Sequence, residues 1–222
     1  MSKTNATRSG CKDVFRAFLV ADAAYDGELE IPCILPEKSL PIRLVPFSKA
    51  TRSSDFKAWI HFYEDDVVFE RLWNDPQRYL PVLQRFAGVI TPDFSLYRDM
   101  PLVMQQWNIY RSRAIGHWLQ ANGISVIVNV RFGDERTYEL SCTGVPRNST
   151  IAVGSHGCIK ITQERELFQK GLAYAVERLK PQNIIVYGTA PASIFGQYQA
   201  AGINIIRFDS DCALAHRKVV CA

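Results

Sequence analysis

Short apolar runs rich in β-branched residues recur along this chain, and longer stretches with helical spacing separate most of them. The runs "AGVIT" (87–91), "ISVIVNV" (124–130), "STIAVG" (149–154), "NIIVYG" (183–188) and "INIIRF" (203–208) carry almost no polar alternation. A strand without that alternation is buried on both faces. The arrangement that buries both faces is a parallel sheet covered by helices. "KAWIHFY" (57–63) reads as an aromatic strand of the same sheet.

The helices fall between the strands. Residues 65–86 read as one helix in two pieces, broken near Pro76, with Asp65 or Asp66 as N-cap. Residues 100–123 form the clearest helix, opened by Pro101 and ended by Asn122-Gly123. Further helices are predicted at 162–180, capped by Thr162, and at 191–202. The proline-rich segment 31–46 reads as extended pieces joined by turns, which brings the strand count to about seven.

An α/β alternation of this kind admits two architectures, a TIM-barrel-like sheet, whole or incomplete, and an open doubly wound sheet. The barrel is preferred because polar residues follow nearly every strand: Glu64-Asp65-Asp66, Pro92-Asp93, Arg131 with Asp134-Glu135, Ser155-His156 and Tyr187-Gly188-Thr189. In a barrel all these loops converge on one face. In an open sheet they gather only where the strand order reverses.

The chain has 222 residues, 47% hydrophobic and 22% charged, which suits one globular domain. The expected organisation is a flexible tail over 1–13 and a helix with an extended lead-in over 14–39, the helix being "VFRAFLVADAAY" (14–25). A single α/β domain follows over 40–222, with a C-terminal tail after about 210. The longest apolar run near the start, "AFLVA" (17–21), is too short for a signal core or a membrane span, so a cytoplasmic chain without membrane contact is expected. Six cysteines, at 11, 33, 142, 158, 212 and 221, show no CxxC spacing. Zinc knuckles are therefore disfavoured, and in such a compartment all six thiols are expected to be free. The net charge of +4 fits an anionic small molecule or a nucleic acid as partner without demanding either.

No GxGxxG follows a strand and no GxxxxGK[ST] occurs, which removes a dinucleotide fingerprint and a P-loop. The strand ends hold the candidate chemistry. Asp93 stands where barrel enzymes keep a general base or a metal ligand, and the competing reading is a turn cap. Asp65 and Asp66 could join Asp93 on a divalent cation, or only favour the start of a helix. Asp99 also has two readings, with the cap of the helix that Pro101 opens preferred over a carboxylate at the active face. Asn129, Arg131 and Asp134 follow a central strand and suit substrate binding. Arg111 lies close to the apolar stripe of its helix and needs an acidic partner, which is either a substrate phosphate or a carboxylate of the chain. His156 stands at the end of strand 149–154. The metal, any cofactor and the oligomeric state are left open.

Two resemblances bear on these residues. Ser155-His156-Gly157-Cys158-Ile159 is similar to the nucleophile motif of L,D-transpeptidases, with Lys160 where that family has arginine. A thiolate paired with an imidazole would be the implied nucleophile. The second histidine of that family is missing, because residues 118–155 hold none and His117 lies inside a helix. The stretches "WIHFYEDDVVFERLWNDPQRYL", "FAGVITPDFSLYRDMPLVMQQWNIYRSRAIGHWLQANGISVIVNVRFGD" and "LFQKGLAYAVERLKPQNIIVYG" closely resemble a family of bacteria, phages and mobile elements known only as a domain of unknown function, over about 40–208. That resemblance implies one α/β unit and no particular reaction.

The expected activity is hydrolytic, with or without a metal, on an anionic or phosphate-bearing substrate. Asp93, His156 and Asp65 are the catalytic candidates, and Asn129, Arg131, Arg111 and Asp134 the binding ones. A non-enzymatic phage or plasmid protein that binds nucleic acid or a host protein is the alternative, and a transpeptidase-like cysteine enzyme ranks third.

Overall fold

The computed structural model describes residue 13 and residues 15–220. Its first elements are a single 3-10 turn at Ala17–Val20 and a small antiparallel pair, β1 (Tyr25–Asp26) and β2 (Ile31–Pro32). β3 (Leu44–Pro46) then leads through a 3-10 helix, Phe47–Arg52, to β4 (Trp59–His61), and α1 (Asp66–Asn74) and α2 (Pro76–Leu83) follow. β5 (Gly88–Ile90), α3 (Leu102–Ala121), β6 (Val126–Asn129), α4 (Tyr138–Cys142) and β7 (Thr150–Gly154) continue the alternation. α5 (Thr162–Leu179), β8 (Asn183–Tyr187), α6 (Ala192–Ala200), β9 (Asn204–Phe208) and α7 (Asp211–Val220) complete it.

β3 to β9 form one parallel seven-stranded sheet in chain order. The sheet curls into a half-barrel, so the fold is α/β and TIM-barrel-like but incomplete. The seventh strand is β3, taken from the proline-rich segment.

Alternation along each strand divides the core in two. Ile60, Val89, Val128, Ile151, Val153, Ile184 and Val186 face outward and pack with Phe69, Leu72, Ile115, Leu119, Phe168, Leu172 and Phe195 of the helices. Trp59, Ile90, Ile127, Ala152 and Ile185 form a second cluster on the inner face, joined by Leu44, Tyr63, Ile206 and Phe208. Both sets are apolar, which is why the strands show no polar period in the sequence.

The inner face is narrow enough for side chains from distant strands to meet. The Trp59 ring lies over Gly88, where an added Cβ would come within 2.6 Å of it. The Tyr63 ring, just past β4, stacks on that of Tyr187 in β8, with centroids 4.5 Å apart. His61 lies 4.6 Å from the same ring. Asp211, at the start of α7, draws the two ends of the open sheet together. It receives Nζ of Lys49 at 3.1 Å and the Tyr187 hydroxyl at 3.0 Å, and His61 Nε2 stands 3.5 Å away. These contacts, His61 first, hold the Asp211 carboxyl well below its ordinary range.

Several expectations are corrected. The helix predicted over 14–25 is only the 3-10 turn Ala17–Val20. Asp13 accepts from the amides of Ala17 and Phe18, Arg16 adopts a left-handed conformation with φ 55°, and one turn suffices to bury Leu19. The segment after 210 is helical, α7. The N-cap of α5 is Ile161 and that of α3 is Pro101, so neither Thr162 nor Asp99 caps a helix. Asp65 is at the N-cap of α1 without a side-chain cap bond. The break at Pro76 is where it was expected, and Asp75 caps α2 through the Arg78 amide. Apart from Asp13, the tail expected over 1–13 lies outside the described residues. Cys33, Cys142, Cys158 and Cys212 are free thiols, and Cys11 and Cys221 lie outside the described residues.

Candidate functional site

The inward register of β6 sets the site. Asn129, the last residue of β6, points into the mouth of the half-barrel. Its Nδ2 donates to Oδ1 of Asp93 at 2.6 Å, and its Oδ1 accepts from the Tyr63 hydroxyl at 3.0 Å. Arg131, just past the strand, donates Nη1 to Oδ2 of Asp93 at 2.7 Å. Asp93 is buried, and burial pushes its carboxyl up, while Arg131 and Asn129 pull the other way. Burial would lower the Arg131 guanidinium, but Asp93 beside it raises it beyond its ordinary value, so it stays charged. Among the described residues, Nη2 and Nε of Arg131 carry no hydrogen bond.

A second arginine supports this arrangement from behind. Arg113 is buried and donates to the carbonyls of Ser141 (2.6 Å), Asn129 (3.2 Å) and Thr143 (3.3 Å). With carbonyls and no carboxylate for partners, its pKa is lowered by burial to about 10. It ties the end of α4 to the end of β6.

Asp93, Arg131, Asp65 and His156 line one cleft of about 670 Å³ at the C-terminal ends of the strands, and Asn129 lies beneath it, bonded to Asp93. Asp66 also lines it, accepting from the amide and hydroxyl of Ser95 at 3.0 and 2.8 Å. A second chamber of about 690 Å³ adjoins it, with Leu96, Phe132, Leu167 and Phe168 in its wall. Tyr97, Arg131 and His156 line both.

Two candidates are not brought to the cleft. Arg111 pairs with Glu70 at 2.6 Å and Asn108 at 2.7 Å, and its guanidinium lies 3.9 Å from the centroid of Phe94. Asp134 pairs with Arg136 at 2.7 Å. Sequence reasoning passed over Tyr63, Ser95 and Tyr97 as lining residues, whereas Tyr187, named among the polar strand ends, does line the cleft. For Tyr63 a signal existed: it follows Trp59 and His61 at a spacing of two, which puts all three on the inner face. Asp93 and Asp66 spend their oxygens on Asn129, Arg131 and Ser95. Among the described residues no group of three or more His, Cys, Asp or Glu side chains converges as a metal site.

Cys158 lines the second chamber. Burial pushes its thiol up, the opposite of an activated nucleophile. His61 is engaged by the Tyr63 amide and Asp211, and His117 by the carbonyl of Cys33, so no second imidazole is bonded to the thiol. Iodoacetamide at pH 7 should therefore label exposed Cys212 well before Cys158, as read by peptide mass spectrometry. Faster labelling of Cys158 would restore the nucleophile reading.

No helix among the described residues is long and apolar enough to cross a membrane. In sequence, residues 23–209 match the family described as Domain of unknown function (DUF4417). The chain is 34% identical over 187 residues to the Gene 1 protein of Mycobacterium phage L5, covering 82% of this chain and 80% of that one. It is 33% identical over 189 residues to the Gene 1 protein of Mycobacterium phage D29, covering 82% and 68%. No solved structure matches it.

Proposed function

This chain belongs to the DUF4417 family, a phage-type domain of unknown function, and on that premise we propose that it is a hydrolytic enzyme acting on an anionic, phosphate-bearing substrate in the cleft of Asp93, Arg131 and His156. One observation carries the reading. A buried carboxylate and a guanidinium meet at the C-terminal edge of the half-barrel, where apolar residues would fill the space at less cost. Arg131 keeps Nη2 and Nε for a ligand, and a guanidinium recognises two oxygens of a phosphate at once. Exposed His156 stands at the rim as a second donor. Asp93, with its carboxyl raised by burial, is suited to take a proton from an attacking water. Asp65 adds an exposed carboxylate to the lining of the cleft.

The test is a panel of phosphomonoesters and phosphodiesters, assayed for released product and for binding. Asp93→Asn should retain binding and lose turnover about 100-fold or more, the usual weight of a general base. Arg131→Met should lose both. Binding without turnover by the unaltered protein would move it to the binding proteins.

A further inference from the structure

Beside the cleft, with which it shares Val68, a groove of about 660 Å³ runs between the 3-10 helix Phe47–Arg52 and the helices α1 and α2. Arg52, Arg71 and Arg78 line it, and no acidic residue does. None of the three forms an ion pair or a side-chain hydrogen bond among the described residues, although most other arginines there do. The carboxylates that come near in sequence are spent elsewhere: Asp55 pairs with Arg43, Glu70 pairs with Arg111, and two more serve backbone amides. Glu64 accepts from Ser48 at 3.0 Å, and Asp75 accepts from Arg78 at 3.4 Å. Arg71 is also held in place, its guanidinium 5.1 Å from the centroid of Phe47 and 5.7 Å from that of Tyr79. An arginine fixed by aromatic faces, with its donors unspent, is pre-organised for an anion.

We propose that this groove is a second binding site, for a ligand that presents two or three phosphates side by side. Three separate cations suit spaced charges better than a single one, because each guanidinium can take its own oxyanion. Phe47, Val67, Tyr79 and Val82 give the same groove apolar surface for the part of the ligand between or beside the phosphates. The shared chemistry is that of a polyphosphate or of consecutive phosphodiesters in a single nucleic-acid strand.

The experiment uses the full chain with two probes, inorganic tripolyphosphate and a 12-nucleotide single-stranded DNA. Binding is followed by calorimetry and by fluorescence anisotropy between 50 and 200 mM salt. Three phosphate contacts to a single strand give a log–log salt slope of about −2, and Arg52→Gln/Arg78→Gln should reduce it to about −0.7 with at least a tenfold loss of affinity. Both positions are exposed, so this variant should keep its thermal midpoint, whereas Arg71→Ala tests the fixed guanidinium separately. Loss confined to tripolyphosphate assigns the groove to a small phosphate ligand, and loss with both probes assigns it to nucleic acid. Absence of binding to either probe overturns the proposal. So does binding that the groove variant leaves intact and Arg131→Met abolishes, since that would place the phosphate in the cleft.

Discussion

Arg131→Met should destabilise the protein by about 2–4 kcal/mol in urea unfolding, and adding Asp93→Asn to the same chain should recover most of that loss. The guanidinium is the charged partner of a carboxylate whose side chain is only 10% exposed, and its own side chain is 26% exposed. Methionine keeps much of the arginine's volume but leaves Asp93 buried with one amide donor, Nδ2 of Asn129, in place of two partners. Breaking a buried pair from one side costs about 3–5 kcal/mol, somewhat less here because the arginine side reaches water. An asparagine at 93 carries no charge and can still accept from Asn129, so the double variant loses the pair without stranding an ion. Asp93→Asn alone should cost about 1 kcal/mol, since the unpaired guanidinium can still meet solvent. If the double variant is no more stable than Arg131→Met, the loss lies in packing and the charge argument fails.

Trp59→Ala should cost about 3–5 kcal/mol, the range for a large aromatic removed from a core. Trp59 is the largest member of the inner cluster and lies over the Gly88 backbone, so its loss opens a void between β4 and β5 that the glycine cannot refill. Gly88→Ala alone should cost about 1–3 kcal/mol by overpacking, because its Cβ would sit 2.6 Å from the indole. In the Trp59→Ala background the same glycine change should be nearly neutral. Chemical denaturation of the four proteins closes the cycle. A full cost for Gly88→Ala without the indole would mean that the glycine is needed for its backbone, not for the ring.

The sheet was legible because its strands obey a rule that composition enforces. Val126, Val128, Ile151, Val153, Ile184 and Val186 pack against helices while Ile127, Ala152 and Ile185 fill the inner face, so unbroken apolar runs are the only pattern such strands can carry. Placing Asp93, Asn129, Arg131 and His156 near one another followed from parallel strands ending on one edge. What failed had local or side-chain causes. The helix at 14–25 was cut to one turn by local effects, the Asp13 carboxylate bonded to nearby amides and the left-handed Arg16. α4 is five residues long, too short for periodicity to mark. Arg111, inside α3, takes the carboxylate partner that the sequence left open, and that partner, Glu70, lies 41 positions away where spacing does not reveal it; Asp134 turns back onto Arg136, two residues on. The arginines of the groove come from three separate segments and meet only in space.

The order of the sheet also governs how it can be assembled. Each strand from β3 to β9 pairs only with the strand made just before it and the one made just after. No strand has to wait for a distant partner, so the loop closed at every pairing step is short and its entropic cost small. During synthesis the sheet can lengthen one β-α-β unit at a time, from β3 onward. The contacts that span the chain are of another kind: Tyr63 on Tyr187, and Lys49 and His61 on Asp211. They form only after β8 and the start of α7 have emerged, and Tyr63 and Tyr187 are both walls of the cleft. Five strands can thus pair before the mouth of the cleft closes, because closure waits for β8 to bring Tyr187 onto Tyr63.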